Sequence, residues 1–130
     1  MSLVEVLVAM GIAVVALFAT VDLLAVSTRL HQLARNSAQS SRLAHDKFEQ
    51  LAKLNFATDA AVQITPATPD SLTSNVNNYN DAPATGVTRR WKVQAGPAAN
   101  TLLVTVRIVP SVADARMTKT SEFAEVLRQW

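Results

Sequence analysis

The sequence predicts an α+β fold in which a long N-terminal helix packs, over its C-terminal half, against a small antiparallel β-sheet. Two observations indicate this arrangement. Residues 27–56 contain no proline or glycine and continue an apolar run, so one helix is expected from about residue 2 to about residue 54. Residues 87–109 hold two stretches of alternating apolar and polar side chains with a Gly-Pro turn between them, which is typical of a β-hairpin.

The composition limits the possible classes of protein. A chain of 130 residues suits one compact domain, or one domain with a long extension. Its net charge of +2 gives no strong electrostatic reason to bind nucleic acid or anionic lipid. The absence of cysteine excludes disulfides, thiolate metal sites and cysteine nucleophiles. Much of the apolar excess lies in the first 26 residues, and the remainder is typical of a water-soluble domain.

Residues 1–26 form the first predicted domain, a hydrophobic helix suited to a membrane or to the core of a filament. The run from Leu3 to Val26 would be about 36 Å long as a helix, which spans a hydrocarbon layer of about 30 Å. It lacks the basic start and the small-residue cleavage site of a secretory signal peptide. We therefore expect a single-pass membrane segment.

Two acidic residues interrupt this apolar run. A carboxylate at Glu5 costs several kcal/mol inside a membrane unless it is neutralised or paired, and the first basic residue is Arg29. The nearest cation is then the α-amino group of this chain or of a neighbouring copy, with a hydrated position at the bilayer surface as the open alternative. Asp22 is expected at the far interface, and pairing with a neighbour's Arg29 is its alternative.

The first ten residues, MSLVEVLVAM, resemble the mature N-terminus of the type IV pilin and pseudopilin superfamily. The shared pattern is a Met or aromatic residue at the start, a hydroxylated residue, an aliphatic pair and then Glu. The valine after Glu5 and the Leu-Val-Ala that follows are most similar to V-type minor pilins and to I-type minor pseudopilins of type II secretion. Weaker similarity continues at residues 44–51 and 89–91.

The resemblance implies a structural function. A prepilin peptidase would remove a leader ending in Gly and methylate the new N-terminus at Met1. The subunit would reside in the inner membrane until an assembly platform adds it to a helical filament, made of its own copies or of other pilins, outside that membrane. Glu5 would attract the free amine of Met1 in an adjacent subunit and thereby set the axial register.

The resemblance also implies which side chains pack in the filament core. These are Leu3, Val4, Leu7, Val8, Gly11, Val14, Val15, Phe18, Asp22 and Arg29. Many major pilins carry a helix-breaking Gly and Pro where this sequence has Val14 and Asp22. Since no proline precedes Pro66, we expect that the helix need not melt on assembly; local unwinding at Gly11 or Thr20 is the open alternative.

Residues 27–56 form the second predicted domain, an amphipathic continuation of the helix. Small or apolar residues recur at spacings of three and four: Leu23, Val26, Leu30, Leu33, Ser37, Ser40, Ala44, Phe48, Leu51 and Leu54. A helix of about 80 Å is too long for residues 57–130 to cover, so lipid or further copies must cover its first half. Small residues at 37–41 indicate either close helix approach in a filament or an exposed polar face.

The second half of this helix is expected to pack beneath the sheet, with Lys47, Glu49 and Lys53 facing solvent. His45 and Glu49 stand one helical turn apart, but without further ligands they predict a surface pair rather than a metal site. No nucleophile–base set, phosphate loop or metal cluster occurs in the sequence, so we expect neither an enzyme nor a bound cofactor.

Residues 57–130 form the third predicted domain, a small globular β-domain. The prediction places a short strand at 61–65, a long loop at 66–86, the hairpin at 87–109 and a second loop at 110–119. Trp91 is expected to pack on the helix, while Arg89, Arg90 and Lys92 are expected at the solvent. The segment 121–130 has helical propensity, but the resemblance to pilins implies a final strand that joins the sheet, and we prefer that strand; a helix capped by Ser121 is the alternative.

Three functions follow as hypotheses. The first is a subunit of a type IV pilus-like extracellular filament. The second is a minor pseudopilin that works in a type II secretion system. The third is a single-pass membrane-anchored binding module that never polymerises.

Overall fold

The computed structural model describes residues 2–111 and 120–128. It contains a long helix, a short 3-10 helix and four strands. In chain order these are α1 (Leu3–Ala52), the 3-10 helix (Ala60–Val62), β1 (Asn80–Ala84), β2 (Val87–Ala95), β3 (Thr101–Pro110) and β4 (Ser121–Arg128). This is the predicted α+β arrangement. The chain divides into two compact units, Met1–Arg35 and Asn36–Trp130, which are described separately below.

Helix α1 begins at a capped N-terminus. Ser2 precedes the first helical residue, and its hydroxyl oxygen accepts a hydrogen bond from the amide of Val4 at 3.3 Å. Glu5 adds a negative charge in the first turn, where it complements the helix dipole. The hydroxyls of Thr20 and Thr28 donate to carbonyls one turn earlier, so neither leaves an unpaired group on the helix surface.

The four strands form one antiparallel sheet in the order β1-β2-β3-β4. Trp91 of β2 lies opposite Val106 of β3, and Val106 lies opposite Phe123 of β4. The predicted hairpin and its turn are therefore confirmed. The strand preferred for the C-terminal segment is confirmed over Ser121–Arg128, because the free edge of β3 supplies backbone partners that outweigh the local helical propensity.

The hydrophobic core of the second unit lies between the last turns of α1 and one face of the sheet. The buried side chains of this core include Val93, Val104, Val106 and Ile108 of the sheet and Ala44, Phe48 and Leu51 of α1. Trp91 packs here, as predicted, and its indole nitrogen donates to the carbonyl of Ala61 at 2.9 Å. The predicted helix stripe is thus buried from Ser40 onward.

The predicted strand at 61–65 is wrong. A 3-10 helix occupies Ala60–Val62, and only Thr65 pairs with the sheet: its amide donates to the carbonyl of Val93 at 2.9 Å, and its hydroxyl accepts from the amide of Val93 at 2.7 Å. The edge of β2 is already occupied further along by β1 and by the carbonyl of Tyr79, which accepts from the Trp91 amide. Thr65 alone therefore supplies the hydrogen-bond partners for Val93 at that edge of β2.

The predicted loop at 66–86 contains an unpredicted strand, β1. Its sequence, NDAPA, has low strand propensity, and Pro83 cannot donate a backbone hydrogen bond. Such a segment is tolerated because β1 lies at the edge of the sheet, where its register with β2 also shifts between Asp81 and Ala84. Of the second predicted loop, Pro110 belongs to β3, and residues 112–119 lie outside the described residues.

The prediction that Lys47 and Arg89 face solvent is also wrong, whereas Glu49 and Lys53 are exposed as expected. Lys47 is only 8% exposed and Arg89 only 5%. Arg89 shares the alternation of Val87, Trp91 and Val93, and this alternation turns its side chain toward α1. Arg90 and Lys92 lie on the opposite face, where both are half-buried.

Candidate functional site

The first unit of the chain presents an uncovered apolar surface. The large apolar side chains between Leu3 and Leu33 are exposed, from 79% at Leu3 to 44% at Val6. Apolar surface that stays in contact with water costs about 25 cal/mol per Å². A long, continuous exposed apolar surface marks a region that contacts lipid or another protein. By length and composition, α1 is long and apolar enough to cross a membrane, and none of that stretch is buried within the chain.

The apolar residues of this unit surround the helix on every side. A helix that packs on one partner carries a single apolar stripe, as α1 does between Ser40 and Leu51. Between Leu3 and Val26, by contrast, apolar side chains occupy all faces, and only Glu5 and Asp22 are charged. A helix that is apolar all round needs either a lipid environment or neighbours on several sides.

Three of the residues predicted to guide assembly lie on the exposed surface of α1. Glu5 lies exposed in the first turn of α1, and Asp22 and Arg29 lie exposed further along it. None of the ion pairs within the described parts of the chain includes any of these three residues. Any ion-pair partner of these three side chains would therefore have to come from outside the described residues of this unit. Met1, the predicted partner of Glu5, lies outside the described residues.

The other predicted core residues lie exposed along α1. They are Leu3, Val4, Leu7, Val8, Gly11, Val14, Val15 and Phe18. Two of them, Gly11 and Val15, line an entirely apolar hollow together with Ile12, Ala16 and Ala19. A Cβ atom added at Gly11 would meet nothing within 4 Å. Phe18, the only residue of this unit among Phe, Trp and Tyr, is 70% exposed.

The polar centre of the second unit is a three-residue ion cluster that the sequence reasoning missed. Asp81 of β1 accepts from the Nζ of Lys47 at 2.9 Å and from the Nε and Nη2 of Arg89 at 2.7 and 2.8 Å. Arg89 also donates to the carbonyl of Leu43 at 3.0 Å, and the Lys47 ammonium lies 3.7 Å from the centre of the Trp91 ring. The cluster thus joins α1, β1 and β2.

Electrostatics keep Asp81 ionised in this cluster. Burial acts to raise the pKa of its carboxyl, but the hydrogen bonds and charges of Arg89 and Lys47 outweigh burial and lower that pKa below its ordinary value of 3.8. The ionised carboxylate links two cations and has a structural role, because both of its oxygens already accept hydrogen bonds from them. Arg89 and Trp91 are two residues apart on β2 and therefore lie on the same face of the sheet. This spacing was the sequence signal that could have revealed the ion cluster.

A second set of cations holds a loop over the outer face of the sheet. Arg90 donates to the side chain of Asn75 and to the carbonyl of Thr73, at 2.8 and 3.0 Å. Arg107 donates to the carbonyl of Leu72 at 3.2 Å and pairs with Glu122 at 2.9 Å. The Nζ of Lys92 lies 3.4 Å from Asp70. These three basic side chains therefore help to hold the fold together.

Within the described ranges, no group of three or more His, Cys, Asp or Glu side chains could hold a metal ion. His45 and Glu49 approach to 3.6 Å as the predicted exposed pair. The buried hydroxyl of Tyr79 donates to the carbonyl of Gln63 at 3.0 Å, and burial raises its pKa.

Comparison of the chain with family models, with curated proteins and with solved structures finds no match. What the protein does must therefore be inferred from its own residues. The exposed apolar stretch of α1 is the surface that has no partner inside the described chain. In the described part of the second unit, the hydroxyl of Ser71 is the one buried side-chain polar atom that lacks a hydrogen-bond partner.

Proposed function

We propose that this chain is a structural subunit of a type IV pilus-like extracellular filament. Residues 3–26 would anchor it in the inner membrane before assembly, and the same residues would pack against other subunits afterwards. The observation that carries this proposal is the long stretch of α1 that is apolar on every side and unburied. Lipid and neighbouring helices are the two environments that can cover such a surface.

Glu5 distinguishes assembly from simple anchoring. A plain membrane anchor gains nothing from a carboxylate in the first turn of an apolar helix, since placing that charge in hydrocarbon is costly. A neighbouring subunit that supplies an amine would compensate the cost, and only a subunit at the correct axial position would do so. The resemblance of MSLVEVLVAM to mature pilin N-termini supports that amine being the terminus at Met1, released and methylated by a prepilin peptidase.

A minor pseudopilin of a type II secretion system is the second candidate. It is favoured by the Val-Leu-Val-Ala that follows Glu5, which is similar to the I-type members of that group. The assembly chemistry would be the same, but the filament would be a short periplasmic one that works in secretion. The composition of purified surface filaments separates the two candidates, because a pseudopilin would be absent from them.

The proposal is tested by removing the Glu5 charge. We expect Glu5→Ala and Glu5→Val chains to accumulate in the inner membrane like wild type but to be depleted in sheared filaments. The expected depletion is at least about tenfold, since an unpaired buried charge costs more than the 1.4 kcal/mol that corresponds to that factor. Quantitative immunoblots of membrane and filament fractions provide the measurement.

Glu49→Ala is the matched control, since Glu49 is an exposed carboxylate of the same helix in the second unit. It should leave incorporation unchanged. Normal incorporation of both Glu5 variants would remove the register role of Glu5. A wild-type chain that stays monomeric in the membrane and never enters a filament would overturn the proposed function and favour a non-polymerising anchored module.

A further inference from the structure

We propose that the stretch of α1 just beyond its apolar half binds the head groups of anionic phospholipids. This juxtamembrane segment comprises residues 27–35, and its arginines are Arg29 and Arg35. Both would contact lipid phosphates on the side of the membrane where α1 emerges, before the subunit enters a filament. The inference rests on the anchoring part of the proposed function, because it takes residues 3–26 as the membrane span.

The first argument comes from the distribution of charge along the chain. The whole chain has a net charge of only +2, but its charged residues are unevenly spread. Between Asp22 and Asp46 the sequence holds three arginines, two histidines and no acidic residue. Electrostatic attraction to a membrane fades within a Debye length, about 10 Å at 0.1 M salt, so the local charge beside the span decides it and not the net charge of the chain.

The second argument is that both arginines of the juxtamembrane segment are free to bind. Arg29 and Arg35 are exposed, and neither side chain takes part in a hydrogen bond or an ion pair among the described residues. No acidic residue stands three or four positions from either one, so neither can pair along the helix. Arg90 and Arg107 of the sheet, by contrast, already donate to a loop. A free guanidinium presents a planar fork of donors that matches the oxygens of a phosphate.

The third argument comes from depth. Arg29 follows the end of the apolar stretch at Val26 by three residues, about 4.5 Å along the helix axis. The head-group layer on one side of a bilayer is about 5–7 Å thick, which places Arg29 within it. Arg35 stands about 13.5 Å beyond Val26, outside that layer but within a Debye length of it. The influence of the two arginines should therefore decrease with their distance from the span.

Apolar side chains of the same segment suit this position. Leu30 and Leu33 are 60% and 58% exposed, and their spacing of three places them on one face of the helix. Helices at a membrane interface combine apolar side chains, which lie against the lipid, with cations that reach the phosphates. Arg29 and Arg35 point about 120° apart around the helix at about 100° per residue, so they can attract anionic lipids on two sides.

Asp22 is the acidic residue nearest to the juxtamembrane segment, and its charge opposes the two arginines. It stands seven residues before Arg29, about 10.5 Å along the axis, which is too far for an ion pair within one chain. Its carboxylate therefore repels anionic head groups without neutralising either arginine. Removing that charge should strengthen the preference for anionic lipid.

Local lipid enrichment tests the proposal, and a single label is possible because the chain contains no native cysteine. Full-length Ser27→Cys chains with a fluorophore on the cysteine are reconstituted in phosphatidylcholine bilayers. Trace phosphatidylglycerol or phosphatidylcholine carries a quencher high on its acyl chain, and quenching by the two lipids is compared. We expect about fivefold stronger quenching by phosphatidylglycerol at low salt. The ratio should fall toward one at about 1 M salt, where the Debye length is about 3 Å.

Charge removal at increasing distance from the span identifies the residues responsible. We expect Arg29→Gln in the labelled chain to remove most of the enrichment and Arg35→Gln to remove a smaller part. Arg42→Gln is the matched control and should leave the ratio unchanged, because Arg42 stands 16 residues beyond the apolar stretch and Asp46 lies one turn from it. Asp22→Asn should raise the ratio above that of the unsubstituted chain.

The outcomes separate this inference from the function beneath it. A ratio near one at low salt, or equal losses in Arg29→Gln and Arg42→Gln, would overturn head-group binding while leaving the anchor intact. Sodium phosphate should lower the ratio no more than sodium chloride at equal ionic strength; a greater loss would show that the arginines bind free phosphate and would overturn lipid as the ligand. A label that neither quencher lipid reaches would overturn the anchoring part of the proposed function.

Discussion

Asp81 forms ion pairs with both of the buried cations among the described residues of the second unit. This pairing explains why two basic side chains can lie in the interior. Lys47 and Arg89 reach it from α1 and β2, and together they satisfy both carboxylate oxygens. Removing the anion would leave two desolvated positive charges side by side. Breaking a buried ion pair in this way costs more than the pair itself contributes to stability.

We expect Asp81→Asn to lower the free energy of unfolding of the second unit by about 2–3 kcal/mol at pH 7. This is less than the full cost of breaking a buried pair, because the Asp81 side chain is 31% exposed. Urea unfolding followed by tryptophan fluorescence measures the change. Glu122→Gln, which weakens a more exposed pair with Arg107, is the control and should cost less than about 1 kcal/mol.

The same residue predicts a response to acid. Because the folded-state pKa of Asp81 is lowered below 3.8, its contribution to stability is present above that value and is lost as the pH falls through the folded-state pKa. Wild type should therefore lose stability below about pH 4. Asp81→Asn should lose less over the same interval. Equal losses in the two chains would show that another carboxylate governs the acid response.

At the level of single elements, α1 serves two environments with two surface patterns. Its last turns bury one stripe against the sheet, whereas its first 26 residues are apolar all round. Gly11 is the one position in this apolar half without a side chain, and it forms the floor of the hollow. A substitution there changes the outer surface of the helix without creating a clash inside the chain.

We expect Gly11→Leu to insert in the membrane normally and to reduce filament incorporation about tenfold, because leucine would fill the apolar hollow against which a neighbouring helix would pack. Helix propensity acts in the opposite direction, since leucine favours helix more than glycine does. Ala13→Leu enlarges a small residue on the opposite face and is the matched control. Equal incorporation of Gly11→Leu and wild type would contradict a role for the hollow.

The elements also show where sequence reasoning succeeds and where it fails. Helix α1, β2 and β3 followed from periodicity and from the absence of proline, since those patterns act locally. The local pattern of β4 favoured a helix, and the strand was preferred there only because of the resemblance to a family. Strand β1 was missed because NDAPA has no strand signal and depends on the edge that β2 offers. Arg89 was misplaced because its charge was weighed above its phase with Trp91, and its partner Asp81 lay in a segment predicted as loop. The apolar stretch and its acidic residues could be predicted from the sequence. The hollow could not, because it depends on how several side chains project from the folded helix.

At the scale of the whole molecule, one part of the chain carries its own core and the other carries none. The described part of residues 36–130 buries an apolar cluster, and the Ser71 hydroxyl is its one buried side-chain polar atom without a hydrogen-bond partner. Residues 3–35 bury no large apolar side chain within the described structure. Solubility and folding are therefore expected to separate along the chain.

We expect a fragment of residues 36–130 to be a soluble, folded monomer, whereas the full chain requires detergent. The reason is that the core residues from Ala44 to Leu127 all lie within this fragment. Size-exclusion chromatography and cooperative thermal unfolding monitored by circular dichroism measure the result. A fragment that aggregates or melts without cooperativity would show that the core depends on residues before 36.

The bare apolar stretch of α1 also has a consequence for how a fibre of such subunits can grow. Moving that stretch from lipid into water would expose well over a thousand Å² of hydrocarbon surface, a penalty of tens of kcal/mol at about 25 cal/mol per Å². No monomer would cross the aqueous space to reach a distant tip. If the chain polymerises as proposed, elongation through α1 would take place at the bilayer, where each new subunit exchanges lipid neighbours for protein ones, and the oldest subunits would lie farthest from the cell.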